Sequence, residues 1–187
     1  MRYYLFLCCF LSLISLEGCN NDDDFALVFV GDSQIANWDT EYYFPNRITK
    51  NYGRDGAMLD DLLGQDAISE RDDVIIEIGT NDIKHDWDES QIDEYAKNYV
   101  TVLKTLHGRR KYVMDVFPTL DKERNNVIKV FNDVIDEIIR KEENIEHISV
   151  YDLLEDDGVI KDDLTRDGIH LNDFGYLIIT NKIKKEI

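Results

Sequence analysis

A chain of 187 residues with a formal net charge of −18 fits one domain, and a domain of that length can bury roughly two-thirds of the surface its unfolded form exposes. A field of that sign repels phosphate, which argues against nucleic acid as a partner and leaves neutral or cationic substrates easier to admit than polyanionic ones. All three cysteines, Cys8, Cys9 and Cys19, fall in the first nineteen residues, so the rest of the chain has no thiol for an internal disulfide.

Those first residues pose a separate problem. Arg2 precedes an uncharged, mostly apolar run over residues 3–16, which is of signal-peptide length and short for a bilayer span. Residues 1–18 therefore read as an export leader. Leu16-Glu17-Gly18-Cys19 resembles a bacterial lipobox, with Leu at minus three and Gly at minus one, although Glu17 at minus two is atypical. Cleavage there would leave a lipidated Cys19 as the anchor to the cell envelope. Residues 19–24 add an acidic tether, Asn20-Asn21-Asp22-Asp23-Asp24, which resembles the export signal of surface lipoproteins in Bacteroides-like bacteria and implies an outer-membrane surface address.

From residue 25 strand-length and helix-length apolar stretches alternate. Residues 25–30 are continuously apolar with β-branched members, as in a strand buried on both faces, and should be central. The run ends in Gly31-Asp32-Ser33-Gln34, which places a serine where a buried strand surfaces. Trp38, Tyr42, Tyr43 and Phe44 follow without a clean period and are expected to roof the core rather than line a pocket. Residues 48–51 suggest a second strand running into Asn51-Tyr52-Gly53-Arg54-Asp55-Gly56, where two close glycines leave a bare backbone amide. Met58, Leu59, Leu62 and Leu63 predict a helix within residues 57–68. Residues 73–78 form a third strand that ends in Gly79-Thr80-Asn81-Asp82.

Ser90 can cap the next helix, which carries Ile92, Tyr95, Tyr99, Val102, Leu103 and Leu106 on one face. Residues 111–116 give a fourth strand, and Val127, Phe131, Val134 and Ile138 mark the strongest amphipathic helix. A fifth strand is expected over residues 145–151, interrupted by His147. Thr165-Arg166-Asp167-Gly168-Ile169-His170-Leu171-Asn172 then leads to a last helix that Asn172 can cap.

Strands alternating with helices imply parallel pairing through right-handed crossovers, hence a flavodoxin-like three-layer α/β/α sandwich with a five-stranded parallel sheet over residues 25–187. Ligands in such sheets bind beyond the carboxyl ends of the strands, near the point where strand order reverses. Ser33, Gly56 and Asn81 follow the first three strands, and Asp167 and His170 follow the fifth. Each alone has a bland explanation: Gly-Asp-Ser is common, Asp-x-x-His often opens a helix, and Asn81 and Gly56 suit turns. Together at one sheet edge they make a candidate site for nucleophilic catalysis. Asp32 is expected to tie its own loop. His85 is the rival base, but His170 has a carboxylate beside it, while His107 and His147 sit at a helix end and a strand border. Asp82, Asp86 and Asp88 around His85 lack the glycine and final glutamate of an EF-hand loop.

Gly31-Asp32-Ser33, residues 51–56, Gly79-Thr80-Asn81-Asp82 and Asp167-Gly168-Ile169-His170 resemble, in order and loop placement, the four sequence blocks of the SGNH hydrolases, also called the GDSL esterase/lipase family. The resemblance runs through essentially the whole chain after the leader. It implies Ser33 as nucleophile, His170 as general base and Asp167 as the residue that orients the imidazole. The backbone amides of Ser33 and Gly56 and the side-chain amide of Asn81 would form the oxyanion hole, and no metal or organic cofactor is called for. Gln34 stands where the family usually has Leu or Ile, a departure beside the nucleophile that implies an altered substrate preference.

The expected activity is hydrolysis of a carboxylic ester through an acyl-enzyme. A carbohydrate O-acetyl ester is the preferred substrate class, because an exported, small, acidic domain with no evident lid tolerates neutral glycans. A lysophospholipase or acyl-thioesterase needs the same parts, with the aromatic stretch 38–44 receiving the acyl chain. A non-catalytic glycan-binding lipoprotein is a third reading. A nucleotide binder would need the Gly-x-Gly-x-x-Gly turn or phosphate-loop lysine that the first turn lacks. Membrane contact is expected through the lipid anchor only.

Overall fold

The computed structural model describes residues 25–187, so the leader, Cys19 and the acidic tether lie outside the described residues. Five strands, β1 (Leu27–Gly31), β2 (Thr49–Asn51), β3 (Asp73–Glu77), β4 (Arg110–Met114) and β5 (Ile145–Ile148), pair in the order β2-β1-β3-β4-β5, all parallel. Every residue of β1 and β3 is buried, as expected for strands covered on both faces. The pleat sends alternate side chains to two cores. Val28, Val30, Val74, Ile76 and Val113 meet helices α3 (Glu89–Thr105) and α4 (Lys122–Ile139), whereas Leu27, Phe29, Ile75, Tyr112 and Met114 meet α1 (Ser33–Ala36), α2 (Thr40–Tyr43), α5 (Tyr151–Leu154) and α6 (Asp173–Glu186). The result is the three-layer α/β/α sandwich, with the order reversing between β1 and β3.

Three local expectations change. Met58 and Leu63 are exposed and only Leu59–Leu62 winds, as a single 3₁₀ turn, since Leu59 and Leu62 alone reach the core. The fifth strand stops at Ile148, because Asp115 draws the Val150 and Tyr151 amides onto its carboxylate at 2.7 and 2.8 Å and turns the chain into α5. A short hairpin follows, β6 (Glu155–Asp156) with β7 (Val159–Ile160). Helix α3 is capped by Asp88 rather than Ser90, in a reciprocal capping box with Gln91. Asn172 does cap α6, accepting from the Phe174 and Gly175 amides. Trp38, Tyr43 and Phe44 roof the core over Phe29, while Tyr42 turns outward. Among the described residues no helix is long and apolar enough to cross a membrane.

Candidate active site

β1 delivers Ser33 through a turn that only glycine can make here. A Cβ on Gly31 would stand 1.8 Å from the Glu77 carbonyl, so the closeness of β1 to β3 at their carboxyl ends fixes that residue. Asp32 then caps α1 by accepting from the Gln34 amide at 2.9 Å, and Ser33 becomes the first residue of the helix. Asp32 thus ties its loop as expected.

The loop before α6 brings the partners. Asp167 Oδ1 accepts from the backbone amides of Ile169 and His170 at 3.0 and 2.8 Å, and its Oδ2 lies 2.7 Å from His170 Nδ1. His170 Nε2 lies 3.0 Å from Ser33 Oγ. With Asp167 taking the Nδ1 hydrogen, Nε2 is the nitrogen left to accept from the Ser33 hydroxyl. Asp167 is held down to about 2, first by the His170 amide and then by its ring, and so stays an acceptor at neutral pH.

The cavity at this point has a volume of about 540 Å³ and is lined by Ser33, Asn37, Asp55, Gly56, Asn81, Arg166, Asp167 and His170. The expected nucleophile, base, orienting carboxylate and oxyanion-hole residues, Ser33, His170, Asp167, Gly56 and Asn81, all line it. Gly56 lines the cavity at φ +71°, a conformation that suits glycine, with open space where a Cβ would sit. Neither the Ser33 nor the Gly56 amide is used in a loop hydrogen bond. Asn81 Nδ2 donates one hydrogen to the Ala57 carbonyl at 2.9 Å, which fixes the amide and leaves its second hydrogen free. Three donors converging with a serine and an imidazole can stabilise an oxyanion as it forms.

The other histidines are elsewhere. His85 lines a neighbouring depression with Lys84, Asp121 and Arg124 that shares Asn81 with the cavity, His107 pairs with Glu70, and His147 lies within β5, 2.9 Å from Asp115 and 3.3 Å from Asp136. Asp82 accepts from the Leu59 amide and Asp88 caps α3, and no group of metal-ligating side chains occurs among the described residues. Gln34 does not line the cavity. It is 1% exposed, its Nε2 donating to the Ile169 carbonyl and its Oε1 accepting from the Leu171 amide, so the expected role in substrate preference gives way to one behind His170. Asn51, quoted only as the start of a block, holds the Ile35 and Trp38 carbonyls through Nδ2 at 2.7 and 3.1 Å and so braces the turn that carries Ser33. Asn37, Asp55 and Arg166 on the cavity wall were not singled out by any motif. Asp55 sits inside the block 51–56 and Arg166 immediately before Asp167, and that adjacency was the only available signal.

No curated protein gives a match to the chain. Among solved structures it is similar to a lipase/acylhydrolase from Enterococcus faecalis, at 21% identity over 87% of this chain and 95% of that one, with a TM-score of 0.65. A GDSL-like lipase from Bacteroides thetaiotaomicron is similar at 18% identity over 86% of each chain, TM-score 0.65. A catalytic mutant of an acetylxylan esterase from Geobacillus stearothermophilus gives 17% identity over 87% of this chain and 93% of that one, TM-score 0.65. At such identities the likeness speaks for the fold. The family is shown by sequence: residues 29–178, a span that takes in every block from Gly31 to His170, match the model of the GDSL-like lipase/acylhydrolase family, and the chain belongs to that family.

Proposed function

We propose that this enzyme is a carbohydrate O-acetyl esterase working through an acyl-enzyme, with Ser33 as nucleophile. The observation that carries the reading is the unbroken hydrogen-bonded line from Asp167 through His170 to Ser33 at the mouth of a polar cavity. Ser33 Oγ attacks the ester carbonyl while His170 Nε2 takes its proton, and the carbonyl oxygen gathers charge facing the amides of Ser33, Gly56 and Asn81. Collapse breaks the bond to the alcohol, which leaves with the proton from His170. Water then attacks the acyl-serine, again giving its proton to His170, and the acid departs as Ser33 recovers its hydrogen. Asp167 stays ionised throughout and holds the imidazolium. All the parts are side chains or amides of this chain, so the reading calls for no metal or cofactor.

Two features support a hydroxylated alcohol and a short acyl group. The cavity walls are polar, with Asn37, Asp55 and Arg166 placed to meet hydroxyls or charge. One structural neighbour is an acetylxylan esterase. A specific observation favours a second reading, a lysophospholipase or acyl-thioesterase: a groove of about 570 Å³ beside the start of α6 is lined by Tyr42, Tyr43, Phe174 and Leu177. Rates on p-nitrophenyl acetate, butyrate and octanoate separate the two. Acetate preferred by tenfold or more supports the deacetylase, and octanoate preferred overturns it. Ser33→Ala should remove turnover on all three while the Tm stays within about 2 °C, and retained turnover would refute the nucleophile.

The leader, the lipobox-like Cys19 and the acidic run support export and a lipid anchor on the outer-membrane surface, with no other membrane contact. Expressed in a Bacteroides-like host, the wild type should incorporate an alkyne-tagged palmitate and be shaved from intact cells by protease. Cys19→Ala should do neither. Labelling of the variant would exclude Cys19 as the lipidated residue.

A further inference from the structure

One side chain holds the peptide groups on both sides of His170. Gln34 Nε2 donates to the Ile169 carbonyl at 2.6 Å, and Gln34 Oε1 accepts from the Leu171 amide at 3.2 Å. Its backbone is committed as well: the amide donates to Asp32 Oδ1 at 2.9 Å, and the carbonyl accepts from the Tyr176 hydroxyl at 2.8 Å. Gln34 is next to Ser33 in the chain and His170 lies between the two groups it holds. The lever arm from clamp to reacting atoms is therefore one residue on each side.

The turn that carries His170 is otherwise held mostly by its own bonds, with ties to its neighbours where the Leu120 amide donates to the Gly168 carbonyl at 2.8 Å and Asn172 Nδ2 donates to the Thr165 carbonyl at 3.2 Å. Asp167 accepts from Ile169 and His170, Thr165 Oγ1 donates to the His170 carbonyl at 2.8 Å and accepts from the Gly168 amide at 2.9 Å, and the Arg166 amide donates to the His170 carbonyl at 2.9 Å. These bonds shape the turn without fixing where it stands relative to α1. Among the described hydrogen bonds, the only ones that join residues 165–171 to α1 are the two from the Gln34 side chain and the contact of His170 with Ser33 itself. Two attachment points set both the distance and the tilt of a rigid turn, where one would leave a hinge.

We infer that Gln34 is a positioning residue that acts through His170, its amide docking the Asp167 to His170 turn onto the nucleophile helix so that Nε2 stays in line with Ser33 Oγ. The inference rests on Ser33 and His170 being nucleophile and base. It assigns a purpose to the departure from an aliphatic residue at this position: Leu or Ile could fill the volume, yet would leave the buried Leu171 amide without a partner and release the part-buried Ile169 carbonyl. A base displaced by about 1 Å costs on the order of a hundredfold in rate, so the clamp should appear in kcat rather than in KM.

The test compares Gln34→Met, of similar length without the amide, and Gln34→Glu, with wild type and Ser33→Ala. A fluorophosphonate probe first reads the underlying assignment: wild type should be labelled and Ser33→Ala should not, and failure at this step removes the nucleophile assignment rather than the clamp. Gln34→Met should then lose about 30- to 100-fold in kcat on p-nitrophenyl acetate, with KM within about twofold and native circular dichroism at the assay temperature. Wild-type kcat in the folded variant overturns the inference. Gln34→Glu decides even if the Met variant fails to fold. A protonated glutamic acid can donate to Ile169 and accept from Leu171 as glutamine does, whereas its carboxylate sets a negative oxygen against the Ile169 carbonyl. The ratio of its kcat to wild-type kcat should therefore fall as pH rises. Asp32, Glu77, Asp167, His170 and Tyr176 are common to both proteins, so wild type at each pH is the reference for their own titration, and the carboxylate of Gln34→Glu acts on top of it by favouring the protonated form of the nearby His170. A ratio constant with pH, in protein that circular dichroism shows folded at each pH, refutes the clamp.

Discussion

At the residue scale the site depends on how few bonds separate Asp167 from His170. A carboxylate three residues ahead of the histidine can cap the turn with one oxygen and hold the ring with the other, so positioning the base and orienting its tautomer are one structural act. Asp167→Asn keeps an acceptor for the backbone amides but offers the ring a donor, which turns the imidazole to the wrong tautomer. The expected loss in kcat is about 10³- to 10⁴-fold, with KM little changed, and the Tm should move little because the Asp167 side chain is half exposed. Steady-state kinetics on an acetate ester measure it, and a loss below tenfold would mean that another group orients His170. The positions of Ser33, Asp167 and His170 were readable in the sequence because each lies in a block whose residue types have few other uses together. Gln34 was readable as a departure but not in its consequence. Adjacency to the nucleophile suggested substrate contact, and only the fold shows that residue two of α1 points back toward the loop 135 residues away.

At the scale of elements, short apolar runs of strand length against apolar residues at helical spacing were enough to place five strands and the three long helices. It failed where a local hydrogen bond outweighed pattern. Ile148 to Tyr151 would extend β5 by composition, but Asp115 captures the amides there; residues 57–68 have helical spacing, but half of those apolar side chains face solvent. No periodicity could reveal the carboxyl pair at the ends of β1 and β3, where Asp32 and Glu77 are both fully buried. Burial raises both: Asp32 is pushed up to about 6, and Glu77 well above the usual carboxylate range, with the negative charge of Asp32 adding to the effect. Each acid keeps its proton to higher pH in the folded protein than in the unfolded chain. Folding therefore takes up protons, and stability falls as pH rises from about 4 through and beyond about 6. Glu77→Gln removes one of the two charges and supplies an amide that can donate to Asp32. Its Tm at about pH 8 should exceed that of wild type by about 2–4 °C, the shift expected from about 1 kcal/mol in a chain of this size, and the decline in Tm from pH 5 to 8 should flatten. Scanning calorimetry across that range is the measurement, and an unchanged slope would show that the pair is not the source.

For the whole molecule the dominant quantity is a net charge of −18, legible from composition alone. What composition cannot tell is how the few cations are spent. Arg47 and Arg109 pair with Asp73, Arg54 with Asp61 and Arg140 with Asp136, Arg124 donates to the Ile83 carbonyl and Arg110 to the Tyr112 hydroxyl, and Arg71 lies over the Phe25 ring. Arg166 has no hydrogen-bond or ion-pair partner for its guanidinium among the described residues, and it lines the catalytic cavity. The long-range field and the charge that Arg166 brings to the cavity wall thus have opposite sign. The long-range part is screened beyond about 10 Å at 0.1 M salt, whereas a charge in contact with a bound substrate is screened much less. For two acetate esters matched in size, one with a cationic and one with an anionic alcohol, kcat/KM should favour the cationic ester at low salt. The preference should shrink severalfold between about 10 mM and 0.5 M NaCl as the long-range field is screened. Arg166→Gln should widen it at every salt concentration by weakening the anionic ester. A preference indifferent to salt would remove the long-range field from the account, and one indifferent to Arg166→Gln would remove the guanidinium from the binding surface.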